Sequence, residues 1–284
     1  MSAPIDEISP LMVATARTED LRSTVMRFVK NKWTLRVLSL IVVIALWEYF
    51  GRLDPLKASY PTQFLSLLVE DFVPRILPAA GETFGPLGMG FAIASVAGIL
   101  IGVLMAANKS VDVALSPYIA AIYATPRIAL LPVLILWLGV GFDVRLAIVI
   151  LSVIFPVILN TYLGCKEVNS SLVDVGRSFN ANRWTISTKI VLRSSMPFAI
   201  AGIRVGFGLG LIGIIVAEIL TAGAGLGNLI NNDARYYDIG AMFSVIIVLG
   251  AAALIFTAVL QYVEVRLAQP WRRRRTRPQK DIGA

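Results

Sequence analysis

The sequence predicts an all-α, polytopic membrane protein with about six transmembrane helices, and three observations predict it. Of 284 residues, 57% are hydrophobic and only 15% are charged, where a soluble domain carries roughly a quarter charged residues. Six runs, 35–51, 77–107, 113–139, 144–165, 198–222 and 239–263, meet or approach the ~20 apolar residues that a ~30 Å hydrocarbon core requires. Most of the charges fall in the intervals between those runs, where a bilayer tolerates them.

In chain order, residues 1–34 read as a cytoplasmic tail. Within it Leu21, Val25, Phe28, Val29 and Trp33 recur at helical spacing, backed by Arg22, Arg27, Lys30 and Lys32, so an interfacial amphipathic helix is expected. No cleaved signal peptide is expected, because the first apolar run lies some thirty residues in and more runs follow. Trp47 and Glu48 read as an outer-interface anchor. Pro61 starts a short helix over 62–72, ended by Pro74 and lying along the outer surface. The second run is overlong, so it tilts or begins in the interface.

The third run contains Pro126 and Pro132, each of which removes a backbone donor, so a helix broken twice is expected. In the fifth run Gly206, Gly208, Gly210 and Gly213 admit a close helical neighbour, at a dimer interface or along a pore. The body of the protein is read as 35–266. Residues 267–284 form a basic cytoplasmic tail whose Arg272–Arg275 run fixes topology or binds anionic lipid.

The basic residues set the orientation. Nineteen fall on the side that six crossings give to the termini, with Arg36 at the start of the first run among them, and five on the other, with Arg145 at the start of the fourth run among them, while Arg127 and Arg204 lie in or at the edge of spans. The positive-inside rule then puts both termini in the cytoplasm. The net charge of +8 is spread by topology, not gathered for nucleic acid. A single cysteine, Cys165, excludes a disulfide framework, and the absence of histidine removes the commonest general base and metal ligand. Cys165 reads as a small apolar residue near a helix end. No catalytic or metal residues are assigned, and the glycine cluster Gly223–Gly227 lacks the lysine of a phosphate loop.

The interval 166–197 is the longest cytoplasmic connection, and it is patterned. Asn169, Ser170 and Ser171 can cap a helix over 172–179, and Asn180 suits a left-handed C-cap. Asn182 can cap a second helix over 183–192, which Ser194 and Pro197 end. A helix, a tight turn and a helix are expected to face the cytoplasm.

Asp174-Val175-Gly176-Arg177-Ser178-Phe179-Asn180, then Arg183-Trp184, Leu192, Pro197, Gly202 and Arg204, resemble the EAA motif of binding-protein-dependent ABC transporter permeases. Asp174 stands for the family's Glu, Val175 and Gly176 for its alanines, and Asn180 for its glycine; Arg193 stands where a proline usually falls. Thr125-Pro126-Arg127-Ile128-Ala129-Leu130-Leu131-Pro132, Trp137-Leu138-Gly139, Ala217-Glu218 and Gly225-Leu226-Gly227 look like the nitrate/sulfonate/taurine branch. The resemblance spans about 35–266.

It implies a permease subunit of a type I importer, with residues 166–197 as a coupling helix docked on a cytoplasmic ABC ATPase dimer. ATP and Mg belong to that partner, and this chain carries no cofactor. A second permease copy, as a homodimer, and an external solute-binding protein complete the assembly. The implied solute is a small anion such as a sulfonate, taurine or nitrate, with a heterocyclic vitamin precursor as the alternative. A self-sufficient secondary transporter is disfavoured, since neither midplane carboxylates for a coupling ion nor an inverted repeat is evident.

The implied coupling residues are Asp174, Val175, Gly176, Phe179, Asn180, Arg183 and Trp184. Asp174 and Arg183 read as charged docking points, while Trp184 either docks or packs beneath its own domain. Pro126, Arg127, Pro132, Arg204 and Glu218 are the candidates for pathway or gating. Arg127 either meets an anionic solute or braces a helix end; Arg204 anchors a span start; Glu218 pairs with a base, orders the outer loop or contacts solute.

Overall fold

A computed structural model describes residues 32–54, 58–168, 170–182 and 185–272, and among them every regular element is helical. The chain divides into two compact units, residues 1–64 and 65–284. Most of the amphipathic stripe 21–33, Asn169, Arg183, Trp184 and the tail beyond 272 lie outside the described residues.

In the first unit, α1 (Lys32–Leu53) is apolar over its middle, between Arg36 and Glu48, and exposed along most of its length. Its C-terminal end holds the start of α2 (Pro61–Asp71). Glu48 accepts from the Thr62 N–H at 3.1 Å and the Thr62 hydroxyl at 2.7 Å, satisfying donors at a helix start that has no earlier turn. The Trp47 indole donates to the Ser59 carbonyl at 2.8 Å, and its ring packs on Phe64. The residues read as an interface anchor thus have protein partners.

In the second unit, Pro74 does not stop the helix. A π-helical turn, Phe72–Ile76, takes up the missing donor and leads into α3 (Leu77–Ala107). Then come α4 (Lys109–Ala124), a 3₁₀ turn (Arg127–Leu130), α5 (Leu131–Leu138), α6 (Phe142–Lys166), α7 (Ser170–Ser178), a second π turn (Ile186–Val191), α8 (Leu192–Thr221), α9 (Leu226–Arg235) and α10 (Ile239–Arg272). Among the described residues five helical runs are long and apolar enough to cross a membrane, and α4 with the 3₁₀–α5 segment makes a sixth if that bent pair is one span.

Helix α6 is the centre, packed between α3 and α8. Side chains on Gly90 and Gly98 of α3 would collide with Val149 and Val157, and ones on Gly202, Gly206 and Gly210 of α8 with Asn160 and Val153. In lipid no hydrophobic force drives helices together, so close backbone approach over small residues supplies the packing. Leu87, Ala94, Val149, Val153, Val157, Phe207 and Ile214 form the buried core between the three helices. Of the fifth run's glycines, Gly206, Gly210 and Gly213 therefore face α6 of the same chain, and only Gly208 opens on free space.

Two further expectations need correction. The third run breaks once, not twice: Pro132 lies in the first turn of α5, where its missing N–H costs nothing. Nor do Ser194 and Pro197 end a helix. The π turn passes directly into α8, which carries Pro197 within its second turn.

Candidate functional site

The patterned interval after α6 folds as a closed helical hairpin. The Ala181 N–H donates to the Gly176 carbonyl at 3.1 Å and the Asn180 N–H to the Arg177 carbonyl at 2.9 Å, the paired bonds of a Schellman cap. That cap demands a left-handed residue at position 180, and Asn180 has φ +53°. Asn182 then caps the return: its side-chain oxygen accepts from the Thr185 N–H at 2.7 Å. Gly176 is buried against the return segment, and a Cβ there would meet Ile190 at 2.7 Å and Ile186 at 3.3 Å.

The flank of α7 beside Gly176 has no such cover. Leu172, Val175 and Phe179 lie at i, i+3 and i+7, and Phe179 is 82% exposed. Asp174 and Arg177 are also exposed, 3.5 Å apart.

The broken span is a second focus. Pro126 forces Thr125 into the extended region, and the axis turns by 89° between α4 and the 3₁₀–α5 segment. A cleft of about 270 Å³ opens at the bend, lined by Tyr123, Thr125, Arg127, Ser152, Leu209 and Ile212 among others. Arg127 stacks over Tyr123 and donates to the Ser152 and Tyr123 carbonyls, each at 3.3 Å.

Glu218 lies in a different place. It is fully buried, and its carboxylate accepts from the Thr83 hydroxyl at 2.9 Å and the Gly227 N–H at 2.8 Å. Arg145 stands 3.6 Å away and also donates to the Glu82 and Gly141 carbonyls. Thr83 in turn accepts from the Leu226 N–H at 2.8 Å. Helices α3, α6 and α8 and the start of α9 thus meet on one carboxylate, which pairs with a base and orders the loop. Arg145, counted in the sequence as a flanking charge, is buried here, and Thr83 and Glu82 carried no motif that marked them.

The far end of α9 is tied by Arg75, which bridges Asp71 at 2.5 Å and Asp233 at 2.6 Å. Burial pushes the Asp233 carboxyl above its ordinary pKa, and the Arg75 hydrogen bond opposes that. Arg204 is paired with Glu264, joining α8 to α10, and so has a specific partner beyond a generic anchor.

Comparisons with known proteins agree with this architecture. SsuC of Bacillus subtilis (strain 168), a permease protein named for aliphatic sulfonates transport, is 27% identical over 248 residues, covering 84% of this chain and 88% of its own. The formylaminopyrimidine transport permease protein ThiX of Halalkalibacterium halodurans is 26% identical over 236 residues, covering 82% of this chain and 94% of its own. An inward-facing structure of the MetNI methionine ABC transporter superposes with a TM-score of 0.59 at 16% identity, over 71% of this chain and 98% of that one, which supports the fold. The model of the family described as binding-protein-dependent transport system inner membrane component matches residues 98–269, more than half of the chain and including the hairpin, the broken span and Glu218; the chain belongs to that family.

Proposed function

We propose that this importer permease subunit carries a small anion of the sulfonate type across a bacterial inner membrane, as one half of a homodimeric pathway. A cytoplasmic ABC ATPase dimer, which holds ATP and Mg, docks on the hairpin at 166–197. An external binding protein delivers the solute, and both termini are cytoplasmic. The observation that carries the reading is the hairpin: a rigid, doubly capped element that, among the described residues, leaves the apolar stripe of Leu172, Val175 and Phe179 uncovered.

A rigid lever is what force transmission needs, since a motion at the ATPase reaches the spans only if the connector does not flex. Here the return segment runs without interruption through the π turn into α8, and α8 packs on the central α6. Displacement of α7 therefore acts on the core. SsuC favours a sulfonate, whereas ThiX favours a heterocyclic precursor; the basic cleft at Arg127 supports the anion.

Co-expression with the cognate ATPase tests the docking. Phe179→Ala is expected to leave insertion and thermal stability unchanged, yet to reduce recovery of the ATPase with the permease at least about tenfold, in line with loss of a buried aromatic anchor. Wild-type recovery of the ATPase by Phe179→Ala would sink the assignment.

A further inference from the structure

We infer that the cleft at the Thr125–Pro126 break is a transient oxyanion-contact site, with Arg127 as the residue that meets a sulfonate head group. The inference rests on the importer reading above and names a contact within it.

Four arginines in the described helical core can be compared. Arg75, Arg145 and Arg204 each have a carboxylate partner: Asp71 and Asp233, Glu82 and Glu218, and Glu264. Arg127 has none among the described residues, and it is the only charged residue lining the cleft. A charge in a membrane segment is costly unless something compensates it. What compensates Arg127 is two main-chain carbonyls at 3.3 Å, long for N–H donors, and the face of Tyr123 with the guanidinium carbon 5.0 Å from its centroid. Two of five donors are engaged, and weakly.

The surroundings raise the worth of the remaining donors. Leu209 and Ile212 line the cleft with apolar surface, which lowers the local dielectric and strengthens attraction for an anion. The planar fork matches an oxyanion that offers two oxygens together, and it is less strongly hydrated than an ammonium. A volume of about 270 Å³ holds a small organosulfonate and not only water, whose share of liquid volume is about 30 Å³. One arginine without a second cation gives weak binding, which suits a site that solute must leave as readily as it enters.

The test uses the full-length chain in membrane vesicles with the lone, buried Cys165 replaced (Cys165→Ala) and a reporter thiol in the cleft (Ile212→Cys). Two probes are applied separately, 2-sulfonatoethyl and 2-(trimethylammonio)ethyl methanethiosulfonate, and the ratio of their modification rates is read. Arg127→Gln is expected to lower the anion-to-cation ratio about tenfold, as loss of a unit charge a few ångströms away predicts. Arg127→Lys, which keeps the charge, is expected to hold the ratio within about twofold.

A second reporter, Val175→Cys on exposed α7, separates local charge from misfolding: its ratio is expected to stay constant. An unchanged ratio at Ile212→Cys, or an equal fall at both reporters, overturns the site. Sulfonate specificity is judged apart from this, by taurine uptake in the wild-type complex. Absence of uptake there would count against the substrate reading while the reagent ratio still decides whether the cleft selects an oxyanion.

Discussion

The carboxylate of Glu218 occupies the space in which a side chain on Gly225 would begin. Gly225 has φ +108°, and the next N–H groups turn inward, Leu226 to Thr83 and Gly227 to Glu218. Gly227 is held as tightly, since a Cβ there would stand 2.6 Å from the Ile215 carbonyl. The two glycines of Gly225-Leu226-Gly227 and the acid of Ala217-Glu218 are therefore one device: the glycines let the backbone close over the acid.

Gly225→Ala is expected to be among the most damaging single-methyl additions in the chain. It combines a backbone conformation that L-residues resist, costing about 1–3 kcal/mol, with a collision that displaces a buried charge. Thermal unfolding in detergent should show a clear loss, and an unaltered transition would contradict the cradle geometry.

Removing one charge from the cradle should cost more than removing both would suggest. Glu218→Ala strands Arg145 with only the half-exposed Glu82, and Arg145→Ala strands a fully buried Glu218. Breaking a buried pair costs about 3–5 kcal/mol. The double variant should therefore be destabilised by less than the sum of the singles, by about 1 kcal/mol or more. Strict additivity in a thermal double-mutant cycle refutes the coupling.

At the hairpin, Asn180→Gly is expected to be silent in both stability and transport-coupled ATP hydrolysis, because glycine adopts φ +53° freely. Asn180→Val has to hold a β-branched residue in the left-handed region, at about 1–2 kcal/mol. It should insert normally yet uncouple hydrolysis from uptake. Equal coupling by the Gly and Val variants would show that the Schellman turn is not needed.

The elements that proved legible in the sequence are those set by local chemistry. Spans follow from apolar length, the hairpin from Asn180 and Asn182, and the break from a proline and the residue before it. What was misjudged depended on neighbours. Pro74 and Pro197 look like helix ends, but π turns beside them absorb the mismatch, and Pro132 falls at a helix start only because Pro126 has already broken the chain. Arg145 looked like a topology charge until helix packing placed it beside Glu218, 73 positions along the chain. The cradle also needed Thr83, a residue with no local signature, brought in by the packing of α3 on α6.

The glycines of α8 give the sharpest contrast between packing and free surface. Gly202 faces α6 so closely that a Cβ would lie 2.8 Å from Asn160 Cβ, 2.9 Å from the Pro156 carbonyl and 3.1 Å from Val157 Cα. Two of these are backbone atoms, so no rotamer change relieves the contact, and Gly202→Ala must push the helices apart. Gly208, six residues along and on another face of the helix, has nothing within 4 Å of the same hypothetical atom. Gly208→Ala therefore gains helix propensity of about 1 kcal/mol with no steric cost inside the chain. In the isolated subunit, Gly202→Ala should lower the thermal transition and Gly208→Ala should keep or raise it. The same pair in the assembled transporter reads the dimer. If Gly208 abuts the second copy, Gly208→Ala will weaken dimer recovery on size-exclusion chromatography while the subunit itself stays stable, and an unaffected dimer places that face toward lipid or the solute path.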